Sequence, residues 1–144
     1  MLYRHTQPGL SIVCLCLVAI ALDIAIIWQT GLWVPATAAL VVLVTIAVLF
    51  SSLTVEVSDR ELSWRFGPGF WTYRLPLGDI ETVSVVRNQW RNGFGIRIAS
   101  GFRLYNVSGL DAVELRLKSN DVRRIGTDDP QGLADVLKSL RRNS

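Results

Sequence analysis

Cysteine is nearly absent from this chain, and the two that occur, Cys14 and Cys16, both fall in its first apolar run. Two residues apart on one helix, they face different directions and cannot bridge each other. None follows, so a disulfide scaffold and a zinc–thiolate site are excluded from the rest of the chain. Histidine is scarcer still: His5 is the only one, and it precedes the apolar region. A metal site would want further oxygen or imidazole ligands converging, so neither a metal nor a cofactor is expected. Charge is missing from one long stretch. Between residues 10 and 50 the sole formal charge is Asp23, whereas from residue 53 onward charges recur throughout. The charge map therefore cuts the chain in two near Ser51 and Ser52.

What fills the uncharged stretch is apolar. Residues 10–28 read "LSIVCLCLVAIALDIAIIW" and residues 33–50 read "WVPATAALVVLVTIAVLF". Each is close to the roughly 20 residues that a helix needs to cross a hydrocarbon core of about 30 Å. Only "QTGL" separates them, with Trp28 and Trp33 flanking the turn. Amphipathic rings favour the membrane–water boundary. Pro35 falls in the first turn of the second helix, where its missing N–H costs nothing. The expectation is a transmembrane helical hairpin over residues 10–51, preceded by a tail over residues 1–9. A rival reading takes Arg4 and "AIA" at residues 19–21 as a secretory signal and its cleavage site. The apolar run continues to Trp28, which is long for a signal core. Arg4, Arg60 and Arg65 flank the helices and the turn has no Lys or Arg, so both termini are expected on the cytoplasmic side of the inner membrane. Asp23 lies inside the first span. An intramembrane carboxylate is a functional candidate; reaching the outer interface or bonding the neighbouring helix is the plainer reading.

From residue 53 the apolar period switches to two. "LTVEVS", "ELSWRF", "FWTYRLPL", "IETVSVVR", "GIRIAS", "FRLYNV", "AVELRLKSN" and "VRRIG" follow one another at hairpin spacing, broken by turns such as "GPG" and "RNGFG". The pattern predicts seven or eight short strands in a barrel or sandwich. Pro76 cannot donate to a ladder and marks a strand end or an edge. The period changes again at the C-terminal end. Leu133, Val136, Leu137 and Leu140 form one helical stripe, predicting a helix over residues 130–142 that docks on an open end of the strands. Lys138, Arg141 and Arg142 crowd its last turns, which suits the macrodipole. At its entrance stands "TDDP". Asp129 before Pro130 is an N-cap ahead of a proline at the first helical position, and Thr127 and Asp128 add oxygens near orphan N–H groups. These carboxylates read as a cap in preference to a metal or acid/base site.

Strands at hairpin spacing followed by one amphipathic helix make the element order of a pleckstrin-homology-like fold. Residues 93–97 "GFGIR", 105–109 "YNVSG", 112–115 "AVEL" and 124–130 "RIGTDDP" resemble motifs of bacterial membrane-anchored PH-like proteins. The resemblance covers residues 53–143, and the preceding helix pair fits the same group. It implies an α+β membrane protein whose residues 52–144 form a seven-stranded, strongly bent barrel plugged by the C-terminal helix. Eukaryotic relatives often bind phosphoinositides through basic residues in a long first hairpin loop. Here that loop is only "SDR", so such binding is not implied.

Arg87, Asn88, Trp90 and Arg91 in "VRNQWRNGFG" form the candidate contact surface. An exposed Trp beside arginines suits a lipid headgroup or a partner protein; the plainer reading tucks Trp90 onto the strands. Gly93 and Gly95 lack the Lys-Ser/Thr of a phosphate loop. Residues 53–144 carry 14 Lys and Arg against 11 Asp and Glu, a net of +3, with the signs interleaved. Nucleic-acid binding wants a basic face, so nucleic acid is not an expected partner. No nucleophile–base constellation stands out. The expected function is a non-enzymatic protein-interaction or membrane-complex assembly module with an unknown protein partner. Anionic-lipid binding is the alternative, and a homo-oligomer stays open.

Overall fold

The first residues, expected as a tail, form a strand. In the computed structural model, which describes residues 1–142, Tyr3–Pro8 is strand β1. It pairs antiparallel with β2 (Ser52–Val57), from Tyr3 opposite Val57 to Pro8 opposite Ser52. Hydrophobic periodicity is silent here because the side chains Arg4, His5, Thr6 and Gln7 are polar. The ladder forms because β2 offers its backbone groups along its whole length.

Between these paired strands lie the two apolar helices, α1 (Leu10–Thr30) and α2 (Trp33–Leu49). Gly31, left-handed at φ 67°, closes α1 by donating its N–H to the Ile27 carbonyl at 2.9 Å. At the opposite end Gly9 N donates to Ser51 O at 2.7 Å, one step beyond the β1–β2 ladder. The helix pair therefore stands where a hairpin loop would join β1 to β2. Most of its large side chains point outward, among them Leu15, Leu17, Val18, Leu22, Val41 and Val42. Among the described residues α1 alone is both long and apolar enough to cross a membrane; α2, at 17 residues, is shorter.

The remaining strands are β3 (Glu61–Phe66), β4 (Trp71–Pro76), β5 (Ile80–Arg87), β6 (Gly95–Ala99), β7 (Phe102–Asn106), β8 (Asp111–Leu117) and β9 (Val122–Gly126). They make two sheets, ordered β1-β2-β3-β4 and β5-β8-β9-β7-β6. Every pairing is antiparallel except β7 with β9. The eight strands beyond the helices fall within the seven or eight expected; the ninth comes from the N-terminus. The sheets do not close into a seven-stranded barrel. The break comes where β4 ends at Pro76, and the tight turn Leu77–Asp79 then carries the chain to the second sheet.

Alternation fills the space between the sheets. Val55, Val57, Leu62, Trp64 and Phe66 from the first face Val113, Leu115 and Ile125 from the second in one cluster. Trp64 stacks on Tyr73 at 5.6 Å and meets Tyr105 edge-on at 5.1 Å. The C-terminal helix α3 (Pro130–Arg142) packs on β5, β8 and the 77–79 turn, burying Leu133, Ala134 and Leu137. The same cluster continues into the helix pair through Ile12 and Cys16, with Ala47 and Phe50 against it.

Gly9 makes this join possible. A Cβ there would lie 2.1 Å from the Phe50 carbonyl oxygen, a backbone atom with nowhere to go. Gly9→Ala is expected to cost about 1–3 kcal/mol through overpacking. Gly78→Ala, whose Cβ would meet nothing within 4 Å, is expected to change stability by less than about 1 kcal/mol. Thermal unfolding of the detergent-solubilised chain checks both; equal midpoints would show that the join tolerates displacement.

Candidate functional site

The surface with the most unusual chemistry surrounds the roots of α1 and α2. Phe50, just past α2, meets Phe66 at 5.2 Å and Trp71 at 6.4 Å. The turn before β4 tucks under the end of α2, where Gly67 at φ 45° lies so close that a Cβ would sit 2.6 Å from the Val48 and Leu49 carbonyl oxygens. That turn leaves Phe70 75% exposed and Trp71 46% exposed. Across from it the β5–β6 connection raises Trp90, 82% exposed, on the short 3₁₀ turn Trp90–Asn92. Phe70, Trp71 and Trp90 thus project from the two loops beside the roots, while Trp28 and Trp33 stand exposed at the far end of the pair. The 21 residues of α1 between them rise roughly 30 Å.

The candidate contact residues separate into two groups. Arg87, Trp90 and Arg91 are exposed; Asn88 is not. Asn88 donates its backbone N–H to Leu110 O at 2.7 Å, and its Oδ1 accepts from Arg124 Nη1 at 3.2 Å. Arg124 in turn donates to Glu114 Oε2 at 2.7 Å and covers the Phe102 ring at 3.8 Å. Asn88 therefore fixes the base of the loop from inside, because its side chain is the partner a half-buried guanidinium needs. Arg91 is held by Gln89 Oε1. Arg97, outside the group singled out from sequence, donates from Nε to Phe94 O at 3.1 Å and lies over Gly93.

Between this loop and the helix roots runs an open groove of about 720 Å³. Ile12, Leu15 and Cys16 of α1 form one wall, with Ile46 and Phe50 of the α2 side. Trp90, Phe94, Ile96 and Arg97 form the other. The even mixture of charges over the whole domain conceals a local bias here. Residues 82–110 contain Arg87, Arg91, Arg97 and Arg103 and no Asp or Glu. Scanning the charge in windows would have found it. An apolar trough with one guanidinium group, that of Arg97, in its wall is chemically suited to an amphiphile with a negative head.

The remaining candidates lie elsewhere. Asp23 is half-buried on α1, and its Oδ2 is enclosed without a hydrogen-bond partner. At the entrance to α3, Asp129 Oδ1 accepts from Gly132 N at 3.1 Å, and Thr127 Oγ1 accepts from Asp129 N at 3.1 Å, with Pro130 as the first helical residue. The same entrance is tied to β1. Tyr3 donates its hydroxyl to Asp129 Oδ2 at 2.9 Å, and His5 Nε2 meets Asp128 Oδ1. No sequence signal links residues so far apart in a chain read alone. Among the described residues no group of three His, Cys, Asp or Glu converges. Compared with family models and with curated proteins, the chain matches none.

Burial raises the Tyr3 hydroxyl well above its ordinary range, and the hydrogen bond to Asp129 and the two nearby carboxylates add to the shift. A group whose native pKa is raised stabilises fully below its unfolded pKa, about 10 for tyrosine. That contribution is lost as pH rises above this value, because the unfolded chain then releases a proton that the native one retains. Tyr3→Phe is expected to cost about 1 kcal/mol at neutral pH and to flatten the alkaline loss of stability. Unfolding midpoints measured from neutral to strongly alkaline pH check this. The slope in the variant keeps only what Tyr73, whose hydroxyl burial also raises, contributes.

Proposed function

We propose that the chain is a membrane-anchored, PH-like module, non-enzymatic, that serves protein interaction or assembly of a membrane complex at the cytoplasmic face. The observation that carries this reading is the helix pair. It is apolar all round, turns its largest side chains outward, and has exposed aromatic rings at both ends. Such a surface in water would be a large apolar patch with no cover. In a bilayer it is solvated, and the rings at either end sit at the two interfaces. The 17 residues of α2 lie at the lower end of what a span needs, with Leu32 and Phe50 extending the apolar length. Both roots leave the same sheet, so the N-terminus and the strand domain share one side. Arg4, Arg60 and Arg65 assign that side to the cytoplasm by the positive-inside rule.

The PH-like assignment rests on the run of short strands closed by α3 and on the four motifs. A role in interaction draws on β6, the outer strand of its sheet. Its backbone edge is unpaired within the sheet, and Ile98 is 84% exposed. Edges of this kind accept a strand from another chain. The second reading, contact with anionic lipid headgroups, is favoured by the acid-free arginine segment at residues 82–110.

Crosslinking in intact native membranes, followed by identification of the attached proteins, tests the leading reading. The full chain is expected to crosslink to the same protein partner reproducibly. Ile98→Glu is expected to reduce that crosslinking several-fold while the chain stays resistant to alkaline extraction. An unchanged partner set in the variant rules out the β6 edge as the contact, and extraction of the unmodified chain by alkali rules out the integral anchor.

A further inference from the structure

We infer that the groove between the helix roots and the β5–β6 connection is a binding site for one anionic phospholipid of the surrounding bilayer. The acyl chain lies along Ile12, Leu15 and Phe50, and the phosphate is held by Arg97. The inference rests on the anchored placement proposed above and gives the lipid-contact reading a definite site. Position is the first argument. If α1 spans the bilayer, its first two turns lie at the interface, and those turns form one wall of the groove. The trough is therefore continuous with the lipid phase on one side and with the strand domain on the other. A lipid enters sideways, without leaving its leaflet.

Lining chemistry is the second argument. The walls are aliphatic and aromatic, and about 720 Å³ lies within the range of sites that enclose most of a drug-sized ligand. Water in such a trough would find few polar partners. Charge is the third. Arg97 lines the groove beside Trp90, Arg91 adjoins Trp90 on the same turn, and no acidic residue lines it. A phosphodiester there meets the Arg97 guanidinium and no opposing carboxylate. Trp90 completes the mouth at the depth where an indole ring prefers to sit. The site is distinct from the first hairpin loop at residues 58–60, where Asp59 stands beside Arg60.

The test uses the full chain reconstituted in phosphatidylcholine vesicles containing a minor fraction of phosphatidylglycerol with a photoactivatable diazirine in its acyl chain. After irradiation, labelled peptides are mapped. Label is expected on the segment 93–97 and on the first two turns of α1, competed by unlabelled phosphatidylglycerol and not by phosphatidylcholine. Arg97→Gln, at an exposed position, is expected to reduce groove labelling about fivefold relative to label on the outer half of α1. Leu15→Trp, which fills the trough from a position 61% exposed, is expected to remove it while thermal unfolding stays unchanged. Label on the helices with segment 93–97 bare overturns the site and leaves the anchor standing. Equal labelling by a phosphatidylcholine probe overturns the assignment of an anionic ligand. Absence of label from the helices as well overturns the anchor and the site together.

Discussion

The structure depends on one continuous antiparallel join. Strands β1 and β2 run side by side from Tyr3 and Val57 to Pro8 and Ser52, pass the Gly9–Ser51 hydrogen bond, and continue as two packed helices. A helix pair attached through a single flexible linker could turn freely relative to its domain. Attachment through two paired strands removes that freedom, because turning would break ladder hydrogen bonds whose donors and acceptors have no better partner. Packing reinforces the join. Ile12 and Cys16 belong to the same buried cluster as Trp64 and Phe66, so the helix roots are part of the domain core.

This rigidity gives the surface around the roots its meaning. A tethered domain on a loose linker samples many orientations, and weak surface chemistry averages out. Here Phe70, Trp71 and Trp90 stay beside the helix roots, with Arg97 beside Trp90 in the groove. In the proposed anchored placement each basic residue near an anionic surface is worth about 1 kcal/mol, and little translational entropy is lost when the contact forms, since the helices would hold the domain there. Modest groups can then fix an orientation that they could not secure in a free protein. The same loops are supported from behind. Asn88, Arg124, Glu114 and Phe102 form a polar chain across the second sheet that sets the base of the β5–β6 connection.

Legibility in the sequence followed the physics that makes each element. The helices and most strands were readable because burial imposes a period: uninterrupted for α1 and α2, two for Leu62, Trp64 and Phe66, and 3.6 for Leu133, Val136 and Leu137. The entrance to α3 was readable because a cap is local, spanning only Thr127 to Gly132. What periodicity cannot reach is an element held by backbone pairing and polar side-chain contacts. Strand β1 carries Arg4, His5, Thr6 and Gln7 in sequence, and such a polar run reads as a tail. Asn88 reads as a surface amide in sequence because its partner, Arg124, lies 36 residues away. The groove needs Ile12, Phe50 and Arg97 at once, and only the fold brings those three regions together. The arginine bias was present in the sequence and was lost by averaging over the whole domain.

Strand β1 also touches both ends of the strand domain. Its outer edge carries Tyr3 and His5 to the entrance of α3, where they meet Asp129 and Asp128. The residue that caps α3 is thus the residue that receives β1, so its carboxylate serves two elements with its two oxygens. Helix α3 packs on β5 and β8, and β5 leads directly into the arginine-bearing connection at the groove. A change in how β1 lies on β2 would be felt at both ends: at the helix roots through Gly9, and at α3 through Tyr3. The helix roots and the entrance to α3 are therefore joined through a strand of six residues. The ladder between the two ends turns Gln7 inward, where it donates to Ser108 O at 2.9 Å, and a slip of one residue would turn that side chain outward.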